Sequence, residues 1–177
     1  MSGRRRVYRG NYVLAVDPAG RGTCGLALGR CGGDPRLYSV HFRHDETDDS
    51  VDVFGAATSF FDRQLKVWRP DIVAIEVPAP IRASNLLLGL YAIIAGQAKV
   101  HGIPVMPVQI ASWRKLFLGH GRLDRDRAKR KAMLTAKAMG WSPANHDEAE
   151  ASGVWYWACE QCVPKVSVKR EVMRAAL

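Results

Sequence analysis

"YVLAVDPAGRGTCGLALGR", residues 12–30, decides how the rest of the chain is read. Val13–Val16 is a continuous apolar run closed by Asp17. Such a run marks a strand buried on both faces, as in the middle of a helix-covered sheet. "TCGLALGR" (23–30) reads as a second strand, reached across a Gly-rich turn.

Outward from this hairpin, "RLYSVHF" (36–42) alternates well enough for a third strand. A helix fills 51–68, with Phe54, Thr58, Phe61 and Leu65 on one face, and stops before Pro70. "DIVAIE" (71–76) is a fourth strand, built like the first: Ile72–Ile75 is apolar and Glu76 ends it. A helix rich in small and apolar residues covers 83–100, and "IPVMPV" (103–108) is a fifth strand. Its Pro104 and Pro107 suit strand ends or a sheet edge. A short helix at 110–117 follows, then a basic helix near 124–139. A last helix starts at about Asn145, a residue type favoured as an N-cap. The order of elements predicts an α/β fold: a five-stranded mixed sheet, its first three strands antiparallel and the remainder parallel, flanked by helices.

At 177 residues and 47% hydrophobic, the chain has room for one domain with a real core. That domain spans 11–162, between a basic arm at 1–10 and a basic tail at 163–177. The longest apolar stretch, Leu86 to Gly96, is too short for a membrane span, and the N-terminal apolar run is too short for a signal peptide. The expected address is the cytoplasm, with no membrane partner. The cysteines fit it: Cys24, Cys31 and the "CEQC" of Cys159 and Cys162 read as reduced structural thiols, because a lone CxxC is a weak zinc signal.

The formal charge of +9 calls for an acidic partner, nucleic acid first. Residues 109–140 hold nine Lys or Arg against Asp124 and Asp126, so the charge forms a patch.

Two carboxylates at strand tips acquire meaning together. If the strands of Asp17 and Glu76 run parallel and adjacent, both acids emerge at one end of the sheet, where open α/β sheets place ligands. In "NHDEAEASGVWYWA" (145–158), Asp147 and Glu150 lie three apart and share one side of the last helix. Glu148 is expected to face away as a solvated acid favoured by the helix dipole. Four converging carboxylates would repel one another and raise one another's pKa. Hard divalent cations such as Mg²⁺ or Mn²⁺ remove that penalty, and two of them about 4 Å apart can support phosphodiester cleavage.

With these residues in view, "LAVDPAGRGTCGLAL" (14–28), "DIVAIEVP" (71–78) and "NHDEAEASGVWYWA" resemble the three acidic motifs of RuvC-type Holliday junction resolvases, within the RNase H-like superfamily. The resemblance covers roughly 12–160. "SWRKLFLGHGRLDRDRAKRKA" (112–132) is similar to the basic segment of phage-type relatives. The resemblance implies an RNase H-like nuclease domain with Asp17, Glu76, Asp147 and Glu150 as the metal-binding catalytic set. Arg114 and Arg125 would touch DNA, with Lys115 and Lys129 beside them in the patch. It implies a homodimer formed in part through the helix at 83–100, where Gly89, Ala92 and Gly96 allow close approach. The chain departs from bacterial members in having Glu150 for Asp, "DPAG" for "DPG", and no aromatic in "VPAPIRASN" after Glu76.

Two residues carry open alternatives. His146 is a metal ligand, a base, or a plain first-turn residue, and Trp113 is a nucleobase platform or core. The leading expectation is a metal-dependent endonuclease that nicks branched DNA, such as four-way junctions or flaps. The competing functions are a non-catalytic branched-DNA-binding protein, a structured-RNA nuclease of the same superfamily, and an ATP binder. The last lacks room for the second domain that would enclose its nucleotide.

Overall fold

A computed structural model of the chain describes residues 10–43, 49–79 and 83–162. The expected basic tail, and all but Gly10 of the expected arm, lie outside the described residues. Five strands, β1 (Tyr12–Ala19), β2 (Thr23–Arg30), β3 (Arg36–His41), β4 (Ile72–Val77) and β5 (Val105–Gln109), form one sheet in the order β3-β2-β1-β4-β5. The first three pair antiparallel, and β1–β4 and β4–β5 pair parallel, as expected. The helices are α1 (Ser50–Trp68), α2 (Asn85–Val100), α3 (Ile110–Phe117), α4 (Arg125–Ala138) and α5 (His146–Cys162).

Four of the five helix starts are capped by a side chain, α3 being the exception. Asp49 and Asp52 form a capping box on α1, and Ser84 and Asp124 accept backbone N–H groups at the heads of α2 and α4. Asn145 accepts from the N–H of Glu148 at the head of α5. The fifth strand starts two residues later than its sequence suggests and ends one later, with Pro104 just outside it. Pro107 lies within β5, where the edge position leaves its missing N–H unneeded.

Strand alternation divides the sheet into two chemically different faces. Leu14, Val16, Leu26, Val73 and Ile75 meet Phe61 and Leu65 of α1 and Leu90 and Ile94 of α2. The opposite face is lined by small residues, Ala15, Ala27 and Ala74, which leave depth for Trp113, Phe117, Trp155 and Tyr156 and for α5 itself. Gly89 serves packing within the chain, since a Cβ there would strike the Phe54 ring of α1 at 2.2 Å. Leu88 and Val100 are the large apolar residues that α2 leaves exposed. No helix among the described residues is long and apolar enough to cross a membrane.

Gly25 sets how closely α5 approaches. It pairs with Asp17 across the β1–β2 ladder, and a Cβ at this position would lie 2.0 Å from the backbone oxygen of Asp147. Backbone cannot give way as a flexible side chain can, so Gly25→Ala should lower unfolding stability by about 1–3 kcal/mol, the usual cost of overpacking. Urea unfolding measures it, and a wild-type midpoint would mean that α5 shifts freely.

Candidate active site

Parity and register carry the strand-borne acids to one place. Val13 and Ala15 face α5, so Asp17, two residues on, does too; Ile72, Ala74 and Glu76 share a face by the same rule. The β1–β4 register pairs Val13 with Ile72 and Ala15 with Ala74, leaving Asp17 and Glu76 next in line at the same sheet end. The head of α5 sits across this end. Asp17, Asp147 and Glu150 each offer an oxygen within 4.8 Å of one another. Glu76 lies outside that group of three but is close enough to Asp17 and Glu150 to interact with both electrostatically.

The electrostatics follow from burial. Asp17 is pushed well above the ordinary carboxylate range, by desolvation first and then by Glu76, Glu150 and Asp147. Desolvation likewise raises Glu76 to about 7, against the opposing hydrogen bond from the Trp113 indole. Burial raises Glu150 too, although Arg114 and Lys129 pull the other way. The counter-charges come from the basic segment: Arg114 Nη2 donates to Glu150 Oε1 at 3.1 Å, and Lys129 Nζ stands 3.9 Å from Asp147 Oδ1. Thr23 Oγ1 donates to Asp147 Oδ2 at 3.2 Å.

This donor set fits hard divalent cations. Three carboxylates converge with incomplete cationic compensation, burial raises the pKa of Asp17 and Glu150, and all the ligand atoms are oxygen. On the Asp147 side opens a cavity of about 630 Å³ bordered by Arg21, Thr23, His41, Arg125 and Lys129. Glu76 borders a separate, smaller cavity of about 260 Å³ with Pro18, Pro78, Leu87 and Ile110.

Several expected residues fall in different roles. Arg114 is not a surface DNA contact alone, because its side chain is largely buried against Glu150. Its Nε is buried without a hydrogen-bond partner. Lys115 and Arg125 are exposed, and Arg125 and Lys129 border the large cavity together, four apart on α4. Trp113 cannot be a nucleobase platform as it stands: it is fully buried. His146 is exposed and outside the group of three acids. Trp155 is core and Trp157 half-buried beside it.

Glu148 corrects the expectation of a solvated acid. It is 6% exposed and accepts from Ser39 Oγ at 3.0 Å and from the Ala144 N–H at 2.8 Å. Asn145 Nδ2 donates to the same Ser39 hydroxyl, so Asn145 and Glu148 together latch the head of α5 onto β3. The reason is that α5 is buried on almost every side from Glu148 onward, so this position of the first turn meets β3 where solvent was expected. Sequence inspection missed this latch, along with Arg21 and His41 at the cavity. The only available signal was Ser39 in a strand facing a helix of unknown rotation.

The four cysteines are free. Cys31, just past β2, shares hydrogen bonds with Cys159 and Cys162 in the last turns of α5; the bond with Cys159, with burial, pushes it up to about 12 against the opposing bond with Cys162. A thiol so placed stays protonated and unreactive near neutral pH.

No family model matches the sequence, and no curated protein matches it in sequence. The fold is another matter: it is the RNase H-like fold of the RuvC resolvases. Thermus thermophilus RuvC superposes with a TM-score of 0.63 at 18% identity, over 84% of this chain and 94% of that one. T. thermophilus RuvC in complex with a Holliday junction substrate gives 0.66 at 18% identity, over 86% and 97%. The yeast mitochondrial Holliday junction resolvase Ydc2 gives 0.51 at 13% identity, over 98% and 87%.

Two predictions follow from the site's physics. A carboxyl raised in the folded chain holds its proton more tightly there than in the unfolded chain. Its contribution therefore favours folding below the ordinary value of 4.5 and is lost as pH rises through about 7 for Glu76. In chelator, the melting temperature should fall between pH 5 and pH 8, and Mg²⁺ at pH 8 should raise it by mass action. A flat or rising profile in chelator would contradict the crowded-acid picture. Separately, Glu148→Ala should cost about 1–3 kcal/mol, since it strands the Ser39 hydroxyl and the Ala144 N–H in a half-buried setting. Chemical denaturation decides that, and a change under 0.5 kcal/mol would mean the latch is idle.

Proposed function

We propose that the chain is a metal-dependent, structure-selective endodeoxyribonuclease that nicks branched DNA, four-way junctions above all. The observation that carries this reading is the convergence of Asp17, Asp147 and Glu150, with Glu76 nearby, beside a basic cleft that Asp147 borders. Acids raised by burial are poor partners for DNA on their own, and a purely binding surface has no use for them.

Asp17, Glu76, Asp147 and Glu150 are the residues that would hold Mg²⁺ or Mn²⁺. Two such ions, when bound, activate a water and stabilise the departing oxygen of a phosphodiester. The rest of the chemistry belongs to the chain. Lys115 and Arg125 are exposed cations that take the phosphate backbone, and Lys129 stands between that backbone and Asp147. Arg114 offsets the charge of Glu150 through one nitrogen and so holds that acid in place from α3. Thr23 steadies Asp147 from the β2 side.

A branched substrate has two strands to cut, which a two-fold dimer meets with two sites. The exposed stripe of α2, with Leu88, Ala92 and Gly96 at helical spacing of four, is the surface we assign to that dimer. Fold likeness to the junction-bound RuvC supports the choice of substrate.

The test is incubation of purified protein with labelled four-way junction, duplex, flap and RNA hairpin, each with Mg²⁺, Mn²⁺ or EDTA. The expected result is paired nicks in the junction with either metal and none in EDTA. Cleavage confined to the RNA hairpin, or junction binding without any turnover, would replace this reading with a ribonuclease or a binding protein. Asp17→Asn is the matched control: it should abolish cleavage and leave junction affinity at or above wild type, as seen by gel shift. Wild-type turnover by Asp17→Asn would remove the four acids from consideration.

A further inference from the structure

Trp113 and Arg114 are neighbours in α3, yet they serve different acids. Arg114 reaches Glu150, while the Trp113 indole Nε1–H donates to Glu76 Oε2. The guanidinium lies 5.4 Å from the centroid of the Trp113 ring, so the two side chains also hold each other. Packing leaves the indole no freedom. It is fully buried, rests on Phe117 at 6.4 Å between ring centroids, and lies so close to α5 that a Cβ on Gly153 would meet its ring at 2.7 Å.

A buried indole N–H needs an acceptor, and the other buried tryptophans show the ordinary solutions. Trp155 donates to the backbone oxygen of Gly29, and Trp141 to Asp34, away from the cluster. Trp113 alone spends its donor on a member of the acid cluster. Its neutral N–H occupies one oxygen of Glu76 without adding a charge, and the rigid ring fixes where the other oxygen points. An Arg or Lys in its place would bring a cation that competes with a bound one.

We propose that Trp113 is a positioning residue: its indole N–H orients Glu76 so that this acid offers one defined oxygen to a divalent cation. The role rests on the metal-dependent reading above. It makes α3 a bracket, with Trp113 setting Glu76 on one side of the cluster and Arg114 restraining Glu150 on the other.

The test replaces Trp113, in the full chain, by 3-benzothienylalanine, which keeps the ring's shape and lacks the N–H. Trp113→Phe is the second variant. Mn²⁺ affinity is measured by calorimetry without DNA, and junction binding is measured in EDTA. The expected result is an Mn²⁺ dissociation constant raised roughly 10–100-fold, as for partners of metal ligands generally, with junction affinity in EDTA unchanged. Raising Mn²⁺ should recover most cleavage by the benzothienyl variant. In a Glu76→Gln background the same replacement should weaken Mn²⁺ binding no further. Mn²⁺ affinity within twofold of wild type for the benzothienyl variant, or a full additional loss in the Glu76→Gln background, would reduce Trp113 to core packing. If the wild-type chain itself takes up no Mn²⁺, the metal-dependent reading falls, and this role with it.

Discussion

Asp17 is buried at the end of a central strand, and three other carboxylates share its surroundings. Two ionised carboxylates within 5 Å repel by about 3 kcal/mol even at an effective dielectric near 20, so this arrangement is costly to keep charged. The rest of the sheet's α5 face reads as the scaffolding that holds it in place. Small residues on β1, β2 and β4 let aromatic side chains seat deeply beneath α3 and α5. Gly25 brings the head of α5 into backbone contact range, and the Asn145–Glu148–Ser39 latch stops it from backing away.

The cations are arranged with similar economy. Arg114 pairs with Glu150 and Lys129 with Asp147, from different helices, and neither sits on the sheet. Charge compensation thus comes from the basic segment that also faces the cleft, so the surface suited to a phosphate backbone and the acids beneath it are joined by shared side chains. Burial still wins over compensation, because Asp17, Glu76 and Glu150 all remain raised.

Much of this was legible from residues alone, and the limits have physical causes. Unalternated apolar runs ending in Asp17 and Glu76 gave away two central strands, and parallel pairing did the rest. Helical spacing brought Asp147 and Glu150 together. The same spacing misplaced Glu148, because an amphipathic reading assumes a solvent face and α5 has almost none. Trp113 stayed ambiguous because its environment is made by Gly153, forty residues later, whose missing side chain is visible only once α3 and α5 are packed. Gly89 looked like a contact glycine on α2, and its contact turned out to be Phe54 within the chain. Spacing arguments hold where one element presents its residues to one neighbour. They fail where two helices compete for the same volume.

The alternation of β1 bears on how such a chain can diverge. Val13, Ala15 and Asp17 share one face while Leu14 and Val16 share the other. Side chains along this strand can be exchanged for others of similar bulk with modest consequence. A single inserted or deleted residue between Val13 and Asp17 cannot be absorbed so easily, for it would turn the acid toward α1 and α2 and bring an aliphatic group to the rim of the cleft. A change of length after Asp17, where "DPAG" runs from the end of β1 into the turn, leaves the parity of Val13, Ala15 and Asp17 untouched. The position of Asp17 in this fold therefore depends on the length of β1 before it more than on the identity of its neighbours. That is a reason why an 18% identical protein can still share the architecture.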